Sequence, residues 1–172
     1  KGGHTKAAKL FRQACDEGDP AACCNLGRAY WLGRGVGKDF TQAGTLLGQA
    51  CEAEVAVCCT NLGLMHKTKA LTNLPGEEVL ALFEKACAGG HKRGCFEAGY
   101  MYDVGEHVTQ DWPKALVAYT KACSTTFGAA CSNMARIYRW GKNGVEYDRA
   151  KVKHYFQMAC DTNGDERSCR EV

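Results

Sequence analysis

The 172-residue chain is 45% hydrophobic and 24% charged, a composition that can bury a core and lies outside the disordered class. Its 22 basic and 19 acidic residues are intermixed, so no basic tract points to nucleic acid or anionic lipid and no acidic tail appears. Three prolines, and no apolar run near the ~18 residues of a membrane helix, exclude a Pro-rich linker and membrane insertion.

The sequence opens at Lys1 without Met or the apolar core of a signal peptide, as expected of a processed chain or of one whose targeting segment lies elsewhere. Twelve cysteines then dominate the reading. Cys15, Cys51, Cys87, Cys123 and Cys160 recur every 36 residues, the last after 37, which is the signature of an internal repeat.

The first predicted element, a helix over 4–15, sets the pattern of every helix that ends at a leading cysteine, termed helix B. A bulky apolar residue stands four before the cysteine (Phe11, Leu47, Phe83, Tyr119, Phe156), and Ala stands one before it (Ala14, Ala50, Ala86, Ala122, Ala159). That is an i, i+3 helical face. Ala7, Ala43, Val79, Ala115 and Val152 extend the stripe by two turns.

A trailing cysteine opens a second pattern, helix A, at 23–30, 59–66, 95–102 and 131–138. Its apolar positions (Leu26, Leu62, Ala98, Met134, then Ala29, Met65, Met101, Ile137) lie three apart, while Gly27, Gly63, Gly99 and Ala135 withhold volume at one shared position. Gly costs roughly 1 kcal/mol against Ala inside a helix, so its recurrence predicts a close helix crossing there. Gly33, Gly105 and Gly141 end helix A, and Asp39, Asp111 and Asp148 stand where they N-cap the next helix B. The second unit departs: Lys69 replaces the Gly, and its connector ends at Pro75, a good first-turn residue.

Leading and trailing cysteines lie eight residues apart, nine in the last unit. A disulfide needs Cα atoms about 4.4–6.8 Å apart, but eight residues of continuous helix would span roughly 12 Å, so the chain must reverse between the two. The intervening segments at 16–22, 88–94 and 124–130 are small and Gly-containing, as a helix-to-helix turn requires. The spacing therefore predicts Cys15–Cys23, Cys51–Cys59, Cys87–Cys95, Cys123–Cys131 and Cys160–Cys169, each clipping helix B to the following helix A. Cys24 and Cys58 remain, and the sequence leaves open a bridge between neighbouring repeats, two buried free thiols, or a strained vicinal pair. Zinc is disfavoured because His4, His66, His91, His107 and His154 share no repeat position, and the C-x-x-C of redox enzymes is absent.

The unit A-C-x7-C-x-N-L-G-x-x-Y followed by G-x-G-V-x-x-D-x-x-x-A resembles the Sel-one-like repeat family, relatives of tetratricopeptide repeats. Its double-cysteine form is similar to the Helicobacter cysteine-rich proteins, secreted bacterial members of that family. The resemblance spans nearly the whole chain and departs at the second connector, at Glu97 and Met134, and at the clipped last unit.

It implies an all-α fold: a right-handed superhelical solenoid of antiparallel helix hairpins stapled by disulfides. The expected organisation is one repeat domain over 1–172, with a lone helix B at 4–15, units at 20–51, 56–87, 92–123 and 128–160, and a truncated helix A at 165–172. The exposed half-units suggest a fragment of a longer solenoid.

If helix A lines the concave wall, as the family implies, the groove residues are Asn25, Arg28, Asn61, Leu64, Glu97, Tyr100, Asn133 and Arg136. Asn amides can grip a peptide backbone through donor and acceptor, or can bond to neighbouring turns instead. Trp31 and Trp140 are candidate anchors or packing residues. The function expected is a secreted or periplasmic monomeric scaffold that binds a peptide or protein, host proteins included, with no cofactor, no metal and no catalytic residue.

Two alternatives come with the resemblance. Some Helicobacter cysteine-rich proteins are described as penicillin-binding or weak β-lactamases, although Ser124, Ser132 and Ser168 begin no S-x-x-K and no K-T-G occurs. A cysteine-rich member of the family serves as an assembly factor in the mitochondrial intermembrane space, which also oxidises thiols.

Overall fold

A computed structural model describes residues 2–71, 74–124, 127–163 and 166–172. The described residues form helices throughout: α1 (Gly2–Asp16), α2 (Pro20–Leu32), α3 (Phe40–Glu52), α4 (Ala56–Lys67), α5 (Gly76–Ala88), α6 (Lys92–Val104), α7 (Trp112–Ala122), α8 (Gly128–Trp140), α9 (Arg149–Asn163) and α10 (Glu166–Cys169). The expected turn at 124–130, the second connector and the helix at 165–172 include residues 125–126, 72–73 and 165, which lie outside the described residues.

Punctuation follows from local chemistry. Asp39, Asp111 and Asp148 accept the backbone N–H of Gln42, Lys114 and Lys151 at 2.9–3.0 Å, satisfying donors that a helix start leaves orphaned. Gly33, Gly105 and Gly141 close α2, α6 and α8 in the left-handed region. In the second repeat Lys69 takes that role at φ 57° after α4 has ended at Lys67, so the backbone reversal survives the loss of Gly. Pro75 is not in the first turn as expected: α5 starts at Gly76, and Pro75 sits at its N-cap with extended ψ of 144°.

Within each hairpin the bulky residue of helix B seats on the small residue of helix A. A Cβ built on Gly27 would lie 3.0 Å from Leu47 Cγ, and at Gly63 and Gly99 it would lie 2.7 Å from the rings of Phe83 and Tyr119. Ala135 shares a core cluster with Phe156 and Val152. The predicted close crossing thus has a specific cause: Leu47, Phe83 and Tyr119 are fully buried and need the volume that glycine withholds.

Two compact units are described in turn, 1–89 and 90–172.

In the first unit Cys15 bonds Cys23 (Cα–Cα 4.6 Å) and Cys51 bonds Cys59 (4.7 Å). In the second, Cys123 bonds Cys131 (4.9 Å) and Cys160 bonds Cys169 (4.8 Å). Each links the end of a helix B to the following helix A. Cys24 and Cys58, left open by the sequence, are bonded to each other across 5.7 Å and join α2 to α4. Cys87 and Cys95 are also disulfide-bonded, and no free cysteine occurs among the described residues.

Candidate functional site

The groove candidates stand two and five residues after the trailing cysteine of each helix A. Asn25 and Arg28 on α2 are exposed, Asn61 and Leu64 on α4 are half-buried, and Tyr100 on α6 is exposed. Glu97 departs from the expectation of an exposed rung. It is buried to 4% exposure and ion-paired with Arg93 one turn back at 2.6 Å, because a carboxylate entering an apolar helix face needs a cation within reach.

Asn133 and Arg136 on α8 belong to a polar network in the second unit. Asn133 donates to the Tyr119 hydroxyl at 3.0 Å, and that hydroxyl donates to Asp103 Oδ2 at 3.1 Å. Arg136 pairs with the same carboxylate oxygen. The Asp103 carbonyl accepts from Trp112 Nε1 at 3.2 Å and from the Gln110 amide at 2.6 Å. Burial and the adjacent Asp103 carboxylate push the Tyr119 phenol well above its ordinary range, so it stays a neutral donor. The Asn133 amide thus bonds a side chain of α7 rather than a neighbouring turn.

Two cavities lie beside these rungs, one in each unit. In the first, Asn25, Arg28, Phe11, Leu32, Arg34 and His4 line a space of about 190 Å3 between α1 and α2. In the second, Asn133, Arg136, Arg139, Trp140, Phe156 and Glu171 line about 300 Å3, with Ser132 and Ser168 at its wall. Arg136 stacks over the Trp140 ring at 4.9 Å and Arg139 over Phe156 at 4.8 Å. Glu171 bonds Arg139 at 2.5 Å and holds that guanidinium's pKa above its usual value.

Trp140 is 54% exposed at this rim, whereas Trp31 is half-buried against the core around Leu47 and Met65. Of the serines, Ser132 and Ser168 share a hydrogen bond of 2.9 Å, and Ser124 accepts from Lys92 Nζ at 3.0 Å. Among the described residues no group of three or more His, Cys, Asp or Glu side chains is placed to hold a metal, and no helix is long and apolar enough to cross a membrane.

The model of the Sel1 repeat matches residues 4–19, 20–55, 80–91, 92–124 and 128–162. The chain belongs to the Sel1 repeat family. Among solved structures it is similar to a Sel1 repeat protein from Oxalobacter formigenes (TM-score 0.84, 23% identity, covering 98% of this chain and 68% of that one). It is also similar to Helicobacter pylori cysteine-rich protein B (TM-score 0.58, 26% identity, 78% of this chain and 96% of that one). A protective antigen of uropathogenic Escherichia coli with an SLR fold matches at TM-score 0.59 and 21% identity over 96% of this chain, which spans 43% of the antigen. The first and third likenesses are of fold. Comparison with curated proteins returned no match.

The Sel1 register also carries a rung that sequence reasoning passed over. Glu171 stands two residues after Cys169 as Asn25, Asn61, Glu97 and Asn133 follow their cysteines, and that signal was present in the spacing. Asp103, Arg34 and Arg139 have no such signal, because no residue type recurs at their repeat positions: Trp31, Lys67, Asp103 and Arg139 stand in one register, and Arg34, Ala70, Glu106 and Lys142 in another. Sel1 repeats are protein-interaction modules, and this chain is a disulfide-rich scaffold built from them.

Proposed function

We propose that this Sel1 chain is an extracytoplasmic scaffold, secreted or periplasmic, that binds peptide or protein segments at the face carrying Asn25 and Arg28 and at the face carrying Asn133 and Arg136. The observation that carries the reading is that equivalent Asn and Arg rungs line a cavity in both units, each with the aromatic of a neighbouring helix B, Phe11 or Phe156, in its wall.

Concave sites with an apolar floor and a few fixed polar groups are where ligands lose most water while keeping their orientation. The bridges support the compartment, since disulfides on this scale persist where thiols are oxidised. They also pre-order the helices, which lowers the entropy lost on binding.

The test is selection of peptides from a displayed random library on the oxidised chain, followed by rebinding to Asn25→Ala/Arg28→Ala and to Trp140→Ala. Loss of the selected peptides with unchanged circular dichroism supports the reading. Retention of every peptide by both variants overturns it.

A further inference from the structure

The two cavities share a chemistry beyond their Asn rungs: each presents two arginines. In the first unit these are Arg28 and Arg34, joined by His4, and the described lining contains no carboxylate. In the second they are Arg136 and Arg139. Resting on the peptide-binding reading above, we propose that both cavities select acidic peptide segments, taking Asp or Glu side chains onto the arginine pairs with an adjacent apolar side chain against Phe11 or Trp140.

The geometry of the second cavity shows how. Arg136 and Arg139 lie over the rings of Trp140 and Phe156 at 4.9 and 4.8 Å, contacts that restrain each guanidinium at the cavity, and a guanidinium suits a planar carboxylate. Arg136 is already answered from beneath by Asp103, which is buried to 2% exposure and orients the fork without reaching solvent. Arg139 is answered by Glu171, but that pair is 39% and 38% exposed, and exposed ion pairs contribute only about 0–1 kcal/mol. A ligand carboxylate can therefore exchange with Glu171, which occupies the cavity as a built-in carboxylate. Lys142 Nζ stands 5.3 Å from the centre of the Trp140 ring and adds to the positive field at the rim. Each unit thus combines a pair of arginines with an aromatic wall.

Calorimetric titration of the oxidised full chain tests this with three capped nonapeptides that repeat Glu-Ala-Tyr, Gln-Ala-Tyr and Lys-Ala-Tyr. The Glu peptide is expected to bind at least about tenfold more tightly than the Gln peptide, a difference of ~1.4 kcal/mol. The advantage should shrink at molar salt, where screening acts within about 3 Å. Arg34 and Arg139 are exposed, so Arg34→Gln/Arg139→Gln should fold normally and bring the Glu and Gln peptides to equal affinity.

Equal binding of Glu and Gln peptides to the unmodified chain overturns the acidic selection while the peptide-binding reading stands. Preference for the Lys peptide does the same. Absence of binding by all three removes both.

Discussion

The Tyr119 hydroxyl donates to Asp103 Oδ2 at 3.1 Å while accepting from Asn133 Nδ2 at 3.0 Å, so one phenol on α7 joins the buried carboxylate of α6 to the rung amide of α8. Asp103 Oδ1 is buried with no partner among the described residues, which leaves this carboxylate dependent on its other oxygen. Tyr119→Phe keeps the ring that fills the Gly99 notch and removes only the hydroxyl. The second unit should lose about 1–3 kcal/mol, the cost of leaving a buried acceptor short of a donor. Hydrogen exchange of the α6 and α8 amides measures it, and unchanged protection would show the network to be incidental.

Gly99→Ala and Gly48→Ala should move stability in opposite directions. Ala is favoured over Gly in a helix by about 1 kcal/mol, and at Gly48 in α3 a new Cβ meets nothing within 4 Å, so that variant should gain close to this amount. At Gly99 the Cβ would lie 2.7 Å from the Tyr119 ring, and overpacking of about 1–3 kcal/mol outweighs the propensity gain. Urea midpoints of the two variants give the comparison.

Removing Cys24–Cys58 should cost more than removing Cys123–Cys131. The chain-entropy model assigns about 4 kcal/mol to a loop closed over a separation of 34 residues and about 2.5 kcal/mol to one over 8. Thermal melts of Cys24→Ser/Cys58→Ser and Cys123→Ser/Cys131→Ser test the order. The reverse order would mean that residual structure already holds α2 and α4 together in the unfolded chain.

Asp148 caps α9 by accepting the Lys151 N–H at 3.0 Å, and this backbone hydrogen bond holds its carboxyl below the ordinary aspartate value. A group whose folded pKa is depressed stabilises above its unfolded pKa, about 3.9, and the contribution fades as pH falls through the lower folded value. The Lys151 amide shift should therefore titrate with a midpoint below about 3.9, and Asp148→Ala should abolish the titration. A midpoint at or above the unfolded value would deny the cap.

Much of this was legible in the sequence because repetition makes local signals redundant. The helical faces, the aspartate caps, the glycine notches and the eight-residue cysteine spacing each recur, so one noisy position is corrected by its equivalents. What escaped prediction does not recur. Asp103 finds Tyr119 and Arg136 only through tertiary packing, and Glu97 occupies an Asn rung yet is buried on its own ion pair with Arg93. Cys24 and Cys58 sit two residues apart on the repeat grid, so spacing alone could not choose between bridge and thiols. The joining of α2 to α4 decides it. The division at residue 89 has no marker in composition, since it falls in a turn like the others.

The central claim is that the cysteine register clips each helix B to the next helix A and ties α2 to α4. Mass mapping of the native chain, alkylated and digested without reduction, tests it most directly. The account predicts no alkylated cysteine, the links Cys15–Cys23, Cys24–Cys58, Cys51–Cys59, Cys123–Cys131 and Cys160–Cys169, and Cys87–Cys95 as the spacing requires. Alkylated thiols at any of these positions, or links that join other partners, would contradict it.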